Sequence, residues 1–219
     1  MVLDDFQKAT AIRGRRYNRL GSVVKWLKEA SLTLTKKPED KTDILSQVKN
    51  LHDVLHPLPR QKVKIFTDGS TQMKGRKSAN SGYGIVVVDE KERTLYEGGG
   101  IVRSDGNNFI PEIAAAAITL NALPSHLQAD IFIDSQATIG AIKEKPLSER
   151  RRIRSAGRAW KAFIRKAMNE KHQLVQIHHI KAHAGVESPA QRGNDAADKI
   201  AKEHMTKGEE LEAAPFFTA

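Results

Sequence analysis

The chain has 219 residues and no cysteine, which excludes disulfide frameworks and cysteine-ligated zinc sites. Hydrophobic residues make up 39% and charged residues 28%, and no apolar run approaches the ~18 residues of a membrane span. Lys and Arg outnumber Asp and Glu 36 to 26, a formal charge of +10 that points to a polyanionic partner. The opening Met1-Val2-Leu3-Asp4-Asp5 is acidic where a secretory signal is basic, so an intracellular protein without membrane contact is expected.

Arg13, Arg15, Arg16 and Arg19 form a basic arm. Leu20, Val23, Val24, Leu27 and Ala30 then recur at helical spacing, and Pro38-Glu39-Asp40 breaks the pattern. Ile44, Val48, Leu51 and Leu55 resume it until Pro57 and Pro59. Residues 1–60 therefore read as a basic two-helix extension. Val63 to Asp68 reads as a strand, Gly69 to Ser81 as a polar loop, and Gly82 to Asp89 and Arg93 to Val102 as two more strands. Pro111 opens an alanine-rich helix that ends near Leu123. A strand over 130–134, a helix over 135–143, a long basic helix over 147–171 and a strand over 174–180 follow. Pro189 to Gly193 reads as loop, Asp195 to Met205 as a helix and 208–219 as a loose tail. The order βββαβααβα predicts an α/β fold: a mixed five-stranded sheet, three antiparallel strands and then parallel ones, with helices on both faces.

Four acids stand at element ends. Asp68 and Asp134 each close an apolar strand, Glu112 lies in the first turn of the alanine-rich helix, and Asp198 lies on the last helix. Taken singly, Asp68-Gly69-Ser70 suits a turn, Glu112 a helix-dipole partner, and Asp134-Ser135 an N-cap. In an open sheet, however, ligands gather at the carboxyl ends of strands. Two acids ending neighbouring strands repel unless a proton or cation lies between them. With oxygen ligands only, magnesium or manganese is the favoured ion.

Residues 62–206 resemble the ribonuclease H domain family, in the style of the domains carried by retroelement and retroviral reverse transcriptases. The matching stretches are Phe66-Thr67-Asp68-Gly69-Ser70, Asn107 to Ala115, Ile133-Asp134-Ser135-Gln136, Ala182-His183-Ala184-Gly185 and Gly193 to Asp198. The resemblance implies hydrolysis of the RNA strand of an RNA–DNA hybrid, leaving a 5′-phosphate and a 3′-hydroxyl. It implies that Asp68, Glu112, Asp134 and Asp198 hold two magnesium ions, with manganese as a substitute, and that His183 assists product release. It implies that Asn108 and Gln136, with Asn107 and Ser135 beside them, contact the minor groove of the hybrid. The family's usual Asn-Glu-x-x-Asp is here Asn194-Asp195-Ala196-Ala197-Asp198, so Asp198 is the ligand by register and Asp195 stands where the auxiliary Glu would be. The stretch from His183 to Asp198 is also longer than the family's, around Val186 to Arg192.

Between Lys143 and Lys171 there are eleven Lys and Arg residues against three acids. Arg150, Arg154 and Arg158 share a helix face, and with Arg151 and Arg152 they read as a phosphate-binding surface. His178 and His179 fall on opposite faces of a strand and read as surface or packing residues. Residues 1–60 match no motif; a tether to an upstream polymerase domain, a duplex-binding element and a docking surface are all open. Two rival readings remain as well: a catalytically reduced nucleic-acid-binding module of the same fold, and an integrase, transposase or resolvase.

Overall fold

The computed structural model describes residues 44–72, 79–104, 107–143, 155–181 and 188–213. The elements are α1 (Ile44–Leu55), β1 (Lys62–Thr71), β2 (Ala79–Val88), β3 (Thr94–Ser104), α2 (Phe109–Ala122), β4 (Gln128–Ile133), α3 (Gln136–Ile142), α4 (Ser155–Lys171), β5 (Val175–His179) and α5 (Pro189–Ala213). From β1 onward this is the expected βββαβααβα order. None of the described helices is long and apolar enough to cross a membrane.

The strands form one sheet in the order β3-β2-β1-β4-β5. The pairs β1–β2 and β2–β3 are antiparallel, and β1–β4 and β4–β5 are parallel. Alternation along the strands divides the core. Val63, Ile65, Ile85, Val87, Ile131 and Ile133 face a large core shared with α1, α2 and α4, whereas Phe66 and Val86 meet Ala197 of α5. Helix α2 is buried on nearly every side, and Ala114 to Ala117 are fully covered. Small side chains let such a helix sit close to the sheet.

Three details depart from the sequence reading. First, α1 shares the main core rather than belonging to the extension: Leu51 and Leu55 are fully buried in it. Second, β1 continues to Thr71, because Gly69, Ser70 and Thr71 still pair with β2 after β4 has ended. Third, α5 starts at Pro189, where a loop was expected, and runs past Gly208 to Ala213. Ser188 Oγ accepts the Gln191 N–H at 3.1 Å and its carbonyl accepts the Arg192 N–H at 2.9 Å. Ser188, Pro189 and Gln191 thus form an N-terminal cap with proline in the first turn. Gly193 lies inside the helix because the Phe66 ring occupies the space a Cβ would take. The basic helix begins, among described residues, at Ser155; residues 144–154 lie outside them.

Candidate active site

Parallel pairing of β1 with β4 ends at Thr67↔Ile133. The next residue on each strand is an aspartate, so Asp68 and Asp134 emerge side by side. Glu112 arrives from α2. A Cβ on Gly69 would collide with the Glu112 backbone N, so only glycine lets the start of α2 reach β1. As a result, one carboxylate oxygen each of Asp68, Glu112 and Asp134 lie within 4.8 Å of one another.

Asp68 and Glu112 are each 6% exposed, and among the described residues no Lys or Arg forms an ion pair with any of the three acids. The Gly69 N–H donates to Asp68 Oδ1 at 2.6 Å. Glu112 Oε2 and Asp134 Oδ1 are buried without a hydrogen-bond partner. Burial, followed by the charge of Asp134, pushes the Asp68 carboxyl up to about 7. Burial and the charges of Asp68 and Asp134 hold Glu112 well above the carboxylate range. Asp134 is also raised, chiefly by burial. A set of hard oxygens with two orphaned acceptors and excess negative charge fits a divalent cation of the magnesium or manganese class.

Asp198 lies outside this trio. Helix α5 crosses β2 at Gly82 and Gly84, where a Cβ would strike the carbonyls of Ala201 and Ala197. That close crossing brings Asp198 near enough for its charge to raise both Asp68 and Asp134. Asp198 Oδ2 pairs with Lys202 Nζ at 2.7 Å. Asp195 is exposed and accepts a hydrogen bond from Gln191 Nε2 at 2.9 Å.

Asn107 and Asn108 are exposed just before α2. Asn107 Oδ1 accepts the Phe109 N–H at 3.0 Å, and the Asn108 side chain makes no capping bond. Ser135 caps α3 by accepting the Thr138 N–H at 3.3 Å, and Gln136 beside it is exposed. His183, Arg150, Arg151, Arg152 and Arg154 lie outside the described residues. Arg158 is on α4, with its side chain outside them.

Two further residues, His179 and Asn194, carry no site assignment from the sequence. His179 is exposed, yet its Nε2 lies 3.1 Å from the Asp134 carbonyl oxygen. Asn194, one turn before Asp198, is 3% exposed with Oδ1 unpartnered. Strand alternation could have flagged His179, since it ends β5 next to the end of β4. His178 packs as expected, stacked on Phe132 at 4.9 Å between ring centroids.

Residues 60–206 match the family model described as RNase H. The ribonuclease H of Clostridium botulinum (strain Hall) is 25% identical over 152 residues, spanning 66% of this chain and 96% of that protein. Among solved structures, LC11-RNase H1, isolated from compost, is 21% identical with a TM-score of 0.52, covering 67% of this chain and 97% of its own. The foamy viral protease-reverse transcriptase in complex with RNA/DNA hybrid is 18% identical with a TM-score of 0.54, covering 68% of this chain and 21% of its own.

Proposed function

The chain belongs to the RNase H family, and from that membership we propose that it hydrolyses the RNA strand of RNA–DNA hybrids with two divalent ions, magnesium by preference. The observation that carries this reading is the trio Asp68, Glu112 and Asp134, drawn together without a basic partner among the described residues. Ions bound there would supply Lewis-acid activation of water and stabilisation of the leaving 3′-oxygen.

The chain's own groups divide the remaining work. Asp68 is the central ligand. Gly69 fixes its rotamer through the backbone N–H, which leaves the second oxygen for an ion. Glu112 and Asp134 each offer a buried oxygen with no competing donor. Asp198 completes the set when Lys202 releases it, and Asp195, turned to Gln191, takes no ligand role. His183 assists product release. Asn108 and Gln136, exposed at the starts of α2 and α3, reach the minor groove of the hybrid, with Asn107 and Ser135 holding the two turns. Arg150, Arg151, Arg152, Arg154 and Arg158 bind phosphates. The foamy viral relative was solved with an RNA/DNA hybrid, which favours the same ligand here. Its fusion of protease and reverse transcriptase likewise favours a polyprotein setting, with the residues before α1 as the link to a polymerase domain.

The deciding experiment incubates the protein with labelled hybrid, duplex RNA, duplex DNA and a four-way junction, with magnesium and with chelator. Magnesium-dependent cutting of the hybrid's RNA strand is expected. Preferential cutting of the junction or of duplex DNA would move the assignment to a resolvase or integrase, and binding without cutting to a reduced module. Neutralising Arg150, Arg151 and Arg152 should flatten the salt dependence of hybrid binding.

A further inference from the structure

Far along the chain from the carboxylates, three of the eight histidines meet where α1 joins the turn before β4. His52 and His56 are four residues apart, and the His56 N–H donates to the His52 carbonyl at 2.7 Å, so the helical turn continues and both rings fall on one edge. His126 approaches from the turn between α2 and β4. The ring centroids of His52 and His56 are 5.2 Å apart, and those of His56 and His126 are 5.9 Å apart. Two imidazoles on one ion, with metal–nitrogen bonds of about 2.0–2.1 Å, stand roughly this far from each other.

The hydrogen bonds carry the argument further. His52 Nδ1 lies 2.9 Å from the Ala122 carbonyl, and His126 Nε2 lies 3.0 Å from the Leu58 carbonyl. A carbonyl only accepts, so each of these nitrogens carries the proton. The lone pair is thereby left on His52 Nε2 and His126 Nδ1. A metal-binding histidine is normally held in this way, one nitrogen donating to a carbonyl and the other facing the ion. No hydrogen bond to a described residue holds the His56 ring, which is exposed. As they stand, the three residues do not bring one nitrogen each within 4.8 Å of one another, so binding needs side-chain rotation.

We propose that His52, His56 and His126 bind one divalent transition-metal ion of the zinc class. Nitrogen ligands select zinc, cobalt, nickel or copper over magnesium, so this site and the carboxylates draw on different ions. The ion clips α1, whose Leu51 and Leu55 already lie in the core, to the turn before β4. Its role is to hold the start of the domain in place, and it does not depend on the nuclease reading.

The test uses the full chain without an affinity tag, in saturating magnesium so that the carboxylates are occupied. Cobalt is titrated and followed by its visible absorption, and zinc is added in thermal melts. One cobalt is expected per chain, and the wild-type melting midpoint should rise with zinc concentration. His56→Gln and His126→Gln should each weaken cobalt binding by at least about tenfold and abolish the zinc-dependent rise. His56→Gln removes no hydrogen bond to a described residue, so it reports on the ion even if His126→Gln is destabilised. Binding that is absent in the wild type, or unchanged in either variant, overturns the site.

Discussion

Asp68 and Asp89 sit toward opposite ends of the paired β1 and β2, and both are shielded from solvent. Asp89 accepts the N–H groups of Lys91 and Arg93 at 2.9 Å and is clasped by the Arg93 guanidinium at 2.7 Å. Those hydrogen bonds and the adjacent charge hold it below the ordinary carboxylate range. Asp68 receives one backbone N–H and faces Glu112 and Asp134, and it is driven the other way. The chain has ten more basic than acidic side chains, so a cation for Asp68 was not scarce. A carboxylate surrounded by donors fastens a turn; a carboxylate surrounded by carboxylates stores repulsion that a bound ion releases.

The contrast breaks most sharply under mutation. Asp68→Asn is expected to cut hybrid cleavage by roughly 10⁴-fold or more, as when one member of a concerted catalytic set is lost. In metal-free buffer above about pH 7 the same change should raise the melting midpoint, because there it removes a repelling charge. Near-normal cleavage rates or an unchanged midpoint would refute the assignment.

Asp198 stands between the two classes, paired with Lys202 yet felt by Asp68 and Asp134. Asp198→Asn should lower cleavage by a smaller factor, about 10- to 100-fold at limiting magnesium, with partial recovery as magnesium is raised. Cleavage measured across a magnesium series decides this; a loss as deep as that of Asp68→Asn would place Asp198 fully with the trio.

A third effect is on stability against pH. The folded chain holds the Asp68 proton up to about 7, against an ordinary 3.8. Between these values the native state binds more protons than the unfolded one, so stability falls as pH rises. The contribution is complete below about 4 and gone above about 7 in metal-free protein. Melts across this range should show the decline, and Asp68→Asn should make it shallower, with Glu112 and Asp134 supplying what remains. A rise in stability over the same window would contradict the sign.

The smallest effect is expected at the other end of the pair. Asp89→Asn loses the clasp on Arg93 and should lower the melting midpoint slightly while leaving cleavage unchanged. Measured beside Asp68→Asn, it gives opposite signs for the same substitution on β1 and just past the end of β2.

Much of this is legible in the sequence. The apolar runs at Val63 to Phe66 and at Ile131 to Ile133 mark two strands with an acid toward the carboxyl end of each, although β1 itself runs on to Thr71, and the alanine run after Glu112 marks a helix able to lie close to the sheet. The expected element order and mixed sheet both follow from these local patterns. Other features were not legible because they depend on what lies across a gap. Gly193 breaks a helix in isolation but fits inside α5 because Phe66 fills the space beside it. The period of α1 reveals an apolar face but not which core receives it.

By itself the sequence determined the kinds of element, their order and the four acids, because periodicity and charge are written along the chain. The tertiary structure alone decided which acids meet and that three histidines from two segments share a corner. The meeting of the acids turns on approach distances: Gly69 lets Glu112 reach β1, and Gly82 and Gly84 let α5 bring Asp198 over β2.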